Sequence, residues 1–288
     1  MLKKRIAATI IVNNGIVVQS IGFKKYLPVG KPDIALEFLN SWGIDEIILL
    51  DMSASKSQKA PNFDMIRKAS SKCFVPLTVG GGISKISDIQ ELMHCGADKI
   101  AVNQATMHNT SLISEAAHLF GSQCIVASID AVQTGNGYRV YDYRQKKLLD
   151  LGPGKFAKHL EELGVGEILI NSVDRDGSYK GFDYELVELV CGQVKIPVIA
   201  AGGAKNALDF IEVFSRTRAS AATAANFFHF TEHSVVTTKT AIVKKITIRN
   251  ENKASYSDTS FDLDYRLLKK ADQDLEHMLF IKMEKEII

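Results

Sequence analysis

Neither sign of charge dominates the sequence. Its 35 lysine and arginine residues nearly balance 33 aspartate and glutamate residues, and the formal net charge is +2 with neutral histidines. This balance does not favour nucleic acid or an anionic membrane as the main partner, because both bind strongly basic surfaces. We therefore expect any anion site to come from local geometry and not from bulk charge.

Paired cysteines are also missing. The four cysteines show no CxxC spacing, which in a chain this long favours small buried side chains in a reducing compartment. His229 and His233 are one helical turn apart but have no third ligand nearby. We therefore expect neither a metal nor a cofactor.

Long apolar runs are missing as well. Lys3-Lys4-Arg5 precedes an apolar stretch, as in a signal peptide, but that stretch spans only Ile6–Val12. It ends at Asn13-Asn14-Gly15 without a cleavage pattern, which indicates a buried strand followed by a turn. No other segment approaches the length of a transmembrane helix. We expect a cytoplasmic protein.

Short apolar runs alternate with segments of helical spacing along most of the 288 residues. Apolar strands that alternate with helices are typical of a parallel sheet covered on both faces, and eight such units indicate closure into a barrel. We predict an α/β fold, a (β/α)8 TIM barrel. The predicted strands are Ile6–Val12, Glu46–Asp51, Val75–Val79, Lys99–Val102, Cys124–Asp130, Glu167–Val173, Val198–Ala200 and Ser220–Ala224.

An internal repeat indicates that the barrel consists of two similar halves. The segment from Val75 to Gly82 is echoed by the segment from Ile196 to Gly203, 121 positions later. The same offset relates Gly43 to Gly164, and it relates Glu46-Ile47 to Glu167-Ile168. A run of matches in one order favours two fused half-barrels.

The repeat also predicts where phosphate would bind. Active sites of β/α barrels lie at the C-terminal ends of the strands, where glycine lets backbone N–H groups approach a phosphate and a following helix start favours an anion. The candidate residues are Gly80-Gly81-Gly82 and Asn103 in one half, and Gly202-Gly203 with Ala224 and Ala225 in the other. The alternative is that these glycines only form tight turns.

Strand parity predicts which side chains face the barrel interior. Val126, Ser128 and Asp130 share one face, and Asp130 ends its strand where a carboxylate is a candidate general acid or base. Small inward residues permit a narrow passage, and they are Ala7, Thr9, Ala101 and Ser128. The alternative is a filled core in which Ile48, Leu50 and Leu169 compensate.

Charged residues begin four of the strands at the opposite, N-terminal end: Arg5, Glu46, Lys99 and Glu167. Two charges of each sign permit a salt-bridged gate. From spacing alone a solvated rim is favoured.

Several stretches resemble the HisF-type cyclase subunit of imidazole glycerol phosphate synthase, over about residues 1–245. The resemblance implies a two-fold repeated barrel that works as a heterodimer with a HisH-type glutaminase. It implies that ammonia passes through the barrel to a ribulosyl aminoimidazole nucleotide with a phosphate at each end, giving imidazole glycerol phosphate for histidine synthesis. The stretches are Pro76–Ile83, Gly96–Lys99, Phe120–Val126, Asp174–Gly177 and Phe228–Phe230.

The resemblance implies functions at both ends of the barrel. A phosphate-binding role is implied for Gly82, Asn103, Gly177 and Gly203. An ammonia gate is implied for Arg5, Glu46, Lys99 and Glu167, which reverses the interpretation from spacing alone. Asp98 matches a residue at the glutaminase interface.

Departures from the family pattern lie at the substrate end. The family uses two aspartates as acid and base; Asp130 matches one of them, but Ile11 stands in place of the other. A branched alkane cannot transfer a proton. Three further positions depart from the family. Gln19 stands in place of a lysine in the first loop, Gln104 in place of a threonine on the phosphate side, and Ala201 in place of a serine.

Two functions remain open at this point. In one, the chain is a working cyclase with Asp130 as main acid or base, while Asp51 or Asp176 compensates for Ile11. In the other, it is a divergent paralogue that passes ammonia to a third, amidating enzyme, such as one that acts on a surface sugar.

The C-terminal end extends beyond the barrel, which we place at residues 1–246. Residues 247–261 are polar and rich in Ser and Asn, as in a linker. Helical spacing returns over 263–288, at Leu268, Leu275 and Leu279, and predicts an amphipathic helical extension. A surface helix or a disordered tail is favoured over a partner-docking helix.

Overall fold

The computed structural model describes residues 3–57, 59–229, 233–249, 256, 258–263 and 265–273. The strands of this part of the chain are β1 (Arg5–Asn13), β2 (Ile16–Ile21), β3 (Lys25–Gly30), β4 (Glu46–Asp51), β5 (Leu77–Gly80), β6 (Lys99–Val102), β7 (Ile125–Thr134), β8 (Gly137–Asp142), β9 (Lys147–Leu148), β10 (Glu167–Ser172), β11 (Val198–Ala201) and β12 (Ala221–Ala224). Its helices are α1 (Pro32–Ser41), α2 (Met52–Lys56), α3 (Phe63–Ser70), α4 (Ile86–His94), α5 (Gln104–His108), α6 (Thr110–Phe120), α7 (Pro153–Glu162), α8 (Tyr184–Cys191), α9 (Ala207–Arg216), α10 (Asn226–His229) and α11 (Ser234–Val243).

Eight of the strands form a closed parallel barrel, so the predicted TIM barrel is confirmed. The order around the barrel is β1, β4, β5, β6, β7, β10, β11 and β12, and the parallel pairing of β12 with β1 closes it. The predicted strands are all present, with small shifts at their ends. The main difference is β7, which continues four residues past Asp130 to Thr134, because it pairs there with β8.

Two β-hairpins, which the sequence did not predict, rise from the C-terminal ends of β1 and β7. In the first, β2 pairs antiparallel with β1 and β3 with β2. Its turn is Asn14-Gly15, with φ angles of 51° and 78°, the left-handed conformation that a two-residue hairpin turn requires. In the second, β8 pairs with β7 and β9 with β8. The hairpins thus occupy equivalent places in the two half-barrels.

Alternation along the strands divides the buried side chains between two layers. Ile6, Ala8 and Ile10 of β1 face the surrounding helices, whereas Ala7 faces the barrel interior. The interior cluster consists of Ala7, Ile48, Ala101, Val126, Leu169, Ile199 and Ala221. The inside of the barrel therefore combines small residues with branched ones, which together fill a narrow barrel.

Helix capping repeats with the offset of the half-barrels. Asn62 accepts a hydrogen bond from Met65 N (3.1 Å) at the start of α3, and Asp183 accepts one from Leu186 N (3.1 Å) at the start of α8. These two caps are 121 positions apart. Short polar side chains satisfy the free N–H groups of a first turn, so the repeat extends to the residues that begin the helices.

The segment after α11 returns to the N-terminal end of the barrel. Ile248 forms a parallel bridge with Lys4, and Phe261 forms an antiparallel bridge with Leu267. This bridge, and a hydrogen bond from Leu268 N to Ser260 O (2.9 Å), exclude the predicted helix over residues 265–271. Residues 274–288 lie outside the described part, where the helix stays a prediction. None of the helices that the structure describes is long and apolar enough to cross a membrane.

Candidate active site

A cavity of about 450 Å³ lies at the C-terminal ends of the barrel strands. Its floor is formed by side chains that point inward from the strands, among them Thr9, Ile11, Ser128 and Asp130. Its rim is formed by the loops that follow the strands and by both hairpins. The predicted parity is confirmed, because Ile11 and Asp130 line the same cavity.

Asp130 is buried and held by two amide groups. Asn103 Nδ2 donates to its Oδ2 (3.0 Å), and Asn171 Nδ2 donates to its Oδ1 (3.1 Å). Burial raises the pKa of Asp130 to about 6, against the lowering effect of these two hydrogen bonds and with a smaller contribution from the charge of Asp176. A carboxyl group with a pKa near neutrality can both hold and release a proton at physiological pH.

Ile11 occupies the opposite side of the cavity. It lies opposite Leu50 of β4 and Val18 of β2 in the strand register. Both neighbours are apolar, so no polar group stands directly opposite Ile11 in the strand register.

Asp51 and Asp176 line the cavity but are bonded to local structure. Asp51 Oδ1 caps α2 by accepting from Ser53 N (2.9 Å), Ser53 Oγ (2.5 Å) and Ala54 N (3.2 Å). Asp176 Oδ2 accepts from Ser20 Oγ (2.7 Å) and Phe23 N (3.2 Å). Burial raises the pKa of Asp176, although these hydrogen bonds lower it. Both aspartates thus fix loops beside the cavity.

The first hairpin is fastened across the cavity mouth. Two hydrogen bonds join Ser20 of this hairpin to the Asn226 side chain. Ser20 N donates to Asn226 Oδ1 (3.2 Å), and Asn226 Nδ2 donates to Ser20 O (2.7 Å). Gln19 Nε2 donates to Tyr179 Oη (3.2 Å) from the facing loop. Together with Asp176, these contacts place Phe23 and Tyr26 of the hairpin against the cavity.

The first glycine loop follows β5 and requires glycine on steric grounds. Gly81 and Gly82 have φ angles of 115° and 74°. A Cβ atom on Gly81 would lie 2.2 Å from Asp51 O, and one on Gly82 would lie 2.4 Å from Lys59 O. The loop therefore runs in direct backbone contact with the segments that follow β4, at the edge of the cavity.

The second glycine loop follows β11 and repeats this geometry. Gly202 and Gly203 have φ angles of 92° and 100°, and a Cβ atom on Gly203 would lie 2.2 Å from Gly181 O. Gly177 lies beside Ser20 O with a φ angle of 64°. Ala224 and Ala225 also line the cavity at this end.

Behind the two loops, the residues just before α4 and α9 are held by carboxylates from the first turn of each helix. Asp88 Oδ2 accepts from Ser84 N (2.9 Å) and Lys85 N (3.1 Å). Asp209 Oδ2 accepts in the same way from Lys205 N (2.7 Å) and Asn206 N (3.2 Å). These four N–H groups, which precede α4 and α9, are therefore used within the protein, and the contribution of the helix starts to anion binding stays a prediction.

A closed ring of four charges lies at the other end of the barrel. Arg5 forms ion pairs with Glu46 and Glu167, and Lys99 Nζ contacts Glu46 Oε1 (2.9 Å) and Glu167 Oε2 (2.8 Å). Burial alone would lower the pKa of Lys99, but the charges of Glu46 and Glu167 outweigh it and raise that pKa. The four side chains predicted as a gate are thus brought together into one salt-bridged ring.

Comparison with known proteins agrees with this arrangement. A family model described as histidine biosynthesis protein matches residues 5–234. The chain belongs to this family. It is 43% identical over 266 residues to the putative imidazole glycerol phosphate synthase subunit hisF2 of Vibrio vulnificus (strain YJ016), covering 92% of the chain and 97% of that relative. It is 42% identical over 237 residues to the imidazole glycerol phosphate synthase subunit HisF of Clostridium botulinum (strain Okra / Type B1), covering 82% of the chain and 94% of the relative.

Asp98, the residue that the resemblance to this histidine biosynthesis family assigned to a partner interface, lies just before β6. It is exposed at the same end of the barrel as the charged ring, and its Oδ2 accepts from Leu77 N (2.8 Å). One carboxylate oxygen thus fixes the start of β5.

Among the cavity residues that were missed from the sequence, five come from the hairpins and from the loop that faces them. They are Phe23, Tyr26, Tyr143, Arg144 and Tyr179. The signal for the first hairpin was present, since Asn-Gly between apolar runs is a strong hairpin signature. Within the described ranges, no group of three or more His, Cys, Asp or Glu residues is arranged to hold a metal ion.

Proposed function

We propose that the chain is the cyclase subunit of an imidazole glycerol phosphate synthase, acting in histidine biosynthesis. The observation that carries the proposal is the combination, in one barrel, of a closed charged ring at one end and a cavity with two glycine loops and Asp130 at the other. The names of the relatives agree with it. The substrate is a ribulosyl aminoimidazole nucleotide with a phosphate at each end, bound with one phosphate at each glycine loop.

Ammonia enters from a HisH-type glutaminase that docks at the end where Arg5, Lys99 and Asp98 lie. The charged ring forms the entrance, and its opening requires the ion pairs of Lys99 or Arg5 to separate. Ammonia then passes the interior cluster, whose small members Ala7 and Ala101 offer least obstruction. An apolar interior favours neutral ammonia over ammonium, because burial penalises the charged form. A biosynthetic role of this kind places the heterodimer in the cytoplasm.

Asp130 is the acid or base of the cyclisation. Its pKa of about 6 lets it exchange a proton near neutral pH, and Asn103 and Asn171 fix the orientation of its carboxyl group. Asp176 and Asp51 are the carboxylates available to compensate for Ile11 in this role. Because both accept hydrogen bonds from loops, they first act as positioning residues for the cavity walls.

Ile11 favours a second candidate function. Its hydrocarbon side chain, beside Leu50 and Val18, removes proton transfer from one side of the cavity. In this alternative the chain receives ammonia but passes it to a third enzyme that amidates another acceptor, such as a surface sugar.

An assay with the family's nucleotide and an ammonium salt separates the two functions. The cyclase proposal expects turnover by the natural chain that falls at least about 100-fold in Asp130→Asn, the usual size of a general acid–base contribution. The alternative expects no turnover by the natural chain and a gain in Ile11→Asp but not in the matched control Ile11→Asn. Absence of turnover in the natural chain refutes the cyclase proposal.

A further inference from the structure

The side-chain donors that follow β6, in the same half-barrel as the first glycine loop, are already used within the protein. Asn103 Nδ2 donates to Ser128 O (3.0 Å) and to Asp130 Oδ2 (3.0 Å). Gln104 Nε2 donates to Asn103 Oδ1 (3.0 Å) and Asp142 Oδ1 (3.3 Å). An amide nitrogen carries two hydrogens, so neither side chain retains one for a phosphate oxygen.

One backbone donor of the loop and one side-chain oxygen beside it also do not help to hold an anion. Gly82 N donates to Ser55 Oγ (3.0 Å). Gln104 Oε1 is buried and, among the described residues, accepts no hydrogen bond. A buried acceptor presents negative partial charge, which disfavours a nearby phosphate. A cation beside the first loop would therefore replace the side-chain donors that are already used.

Two cations line the cavity, against three carboxylates. The carboxylates are Asp51, Asp130 and Asp176, and the cations are Lys59 and Arg144. Lys59 lies against the first loop, and Arg144 lies beside Gln104 at the start of α5. Lys59 O is the atom that a Cβ on Gly82 would meet, and Arg144 N shares the acceptor Asp142 Oδ1 with Gln104.

Asp142 fixes the position of Arg144. This wholly buried carboxylate accepts from Arg144 N (2.9 Å), Gln145 N (3.0 Å) and Gln104 Nε2, and its Oδ2 contacts His108 Nε2 (2.8 Å). Burial alone would raise the pKa of Asp142, but these hydrogen bonds outweigh it and lower that pKa. The turn after β8 is thereby joined to α5 beside the first glycine loop.

The guanidinium of Arg144 is available for a ligand. Arg144 is exposed at the cavity rim, and the ion pairs found among the described residues do not include it. Arg139, on the same hairpin, instead faces Asp150 at 3.5 Å. A guanidinium binds two phosphate oxygens at once, in a geometry that lysine does not reproduce.

We propose that Arg144 is the anion-binding and specificity-determining residue beside the first glycine loop. There it contacts a phosphomonoester, because the side chains of Asn103 and Gln104 already donate their hydrogen bonds within the protein. The inference rests on the proposed two-phosphate ligand but not on its turnover. The charge of Arg144 reaches the ligand from the second hairpin, so that phosphate recognition at this end depends on the Asp142 turn.

The test is a titration of the full-length chain with inorganic phosphate, followed through the backbone amide resonances of Gly82 and Gly203. In Arg144→Gln the dissociation constant measured at Gly82 should rise at least about tenfold, while that at Gly203 stays within about twofold. Arg144→Lys should recover only part of the loss. The matched control Arg139→Gln, on the same hairpin but outside the cavity, should leave both constants unchanged.

Three outcomes overturn the inference: no phosphate response at Gly82 in the natural chain, an unchanged response in Arg144→Gln, or an equal loss in Arg139→Gln. Because the probe is inorganic phosphate, the result does not depend on the nucleotide or on a glutaminase. A chain that shows Arg144-dependent binding but no cyclase turnover supports this inference and refutes the proposed cyclase alone.

Discussion

Replacing Asp130 with asparagine should change the pH dependence of stability in a direction set by the burial of this carboxyl group. Its pKa is about 6 in the folded chain, against an ordinary value of 3.8. A raised pKa means that the folded state keeps the proton after the unfolded state has released it. The contribution of Asp130 to stability is therefore complete below about pH 4, and it is lost as the pH rises through about 6.

The size of this loss follows from the same two values. At about 1.4 kcal/mol for each pH unit between them, it amounts to about 3 kcal/mol. The asparagine side chain of the variant cannot ionise, and the hydrogen bonds that it changes with Asn103 and Asn171 do not depend on pH. At pH 4 the unfolded chain has already released part of this proton, so between pH 4 and pH 7.5 the free energy of unfolding of the natural chain should fall by about 2.4 kcal/mol relative to Asp130→Asn.

Urea unfolding of both chains at four pH values between 4 and 7.5 measures this difference. Asp142→Asn provides the contrast, because hydrogen bonds lower the pKa of Asp142. The stability that Asp142 contributes is complete above about pH 4 and is lost only as the pH falls below that value, so the difference between the natural chain and Asp142→Asn should stay nearly constant between pH 4 and pH 7.5. If the natural chain and Asp130→Asn differ by a constant amount over this range, the assigned burial effect is wrong.

Two further substitutions test the charged ring and the glycine loop by urea unfolding at pH 7. Lys99→Met should lower the free energy of unfolding by about 2 kcal/mol, because it leaves two buried carboxylates with fewer cations. The control Lys68→Met breaks an exposed ion pair with Asp33 and should lower the free energy of unfolding by less than about 0.5 kcal/mol. If both variants lose the same free energy of unfolding, the ring contributes no more to stability than a surface ion pair does. Gly81→Ala should lower the free energy of unfolding by more than about 2 kcal/mol, because the added Cβ would lie 2.2 Å from Asp51 O. The control Gly135→Ala places its Cβ in open space and should leave the stability nearly unchanged. A neutral Gly81→Ala would contradict the tight backbone contact.

The barrel could be predicted from the sequence because its strands are buried on both faces and appear as short apolar runs. The hairpins could not be predicted in this way. Residues of β3 are mostly exposed, and Lys25–Gly30 contains no apolar run. Only the Asn14-Gly15 turn marked the first hairpin, and the second was missed together with Tyr143 and Arg144.

The site was predictable where strand ends determine it and not where distant segments meet. Asp130 and the glycine loops follow directly from strand parity and the repeat. The charged ring depends on the register of four strands, which joins Arg5 to Glu167 across 162 positions, and spacing alone did not favour it. The hydrogen bonds that occupy Asn103 and Gln104 depend on Asp142, a residue of the unpredicted hairpin.

The repeat of 121 positions has a consequence for how a ligand is oriented. Two glycine loops of the same geometry, on opposite sides of one cavity, offer equivalent contacts to either end of a molecule with two phosphates. Such a molecule would fit in two directions, and only one of them presents its reactive atoms to Asp130. The residues that differ between the halves therefore select the direction, and Ile11 on one wall and Arg144 on the rim are two of them.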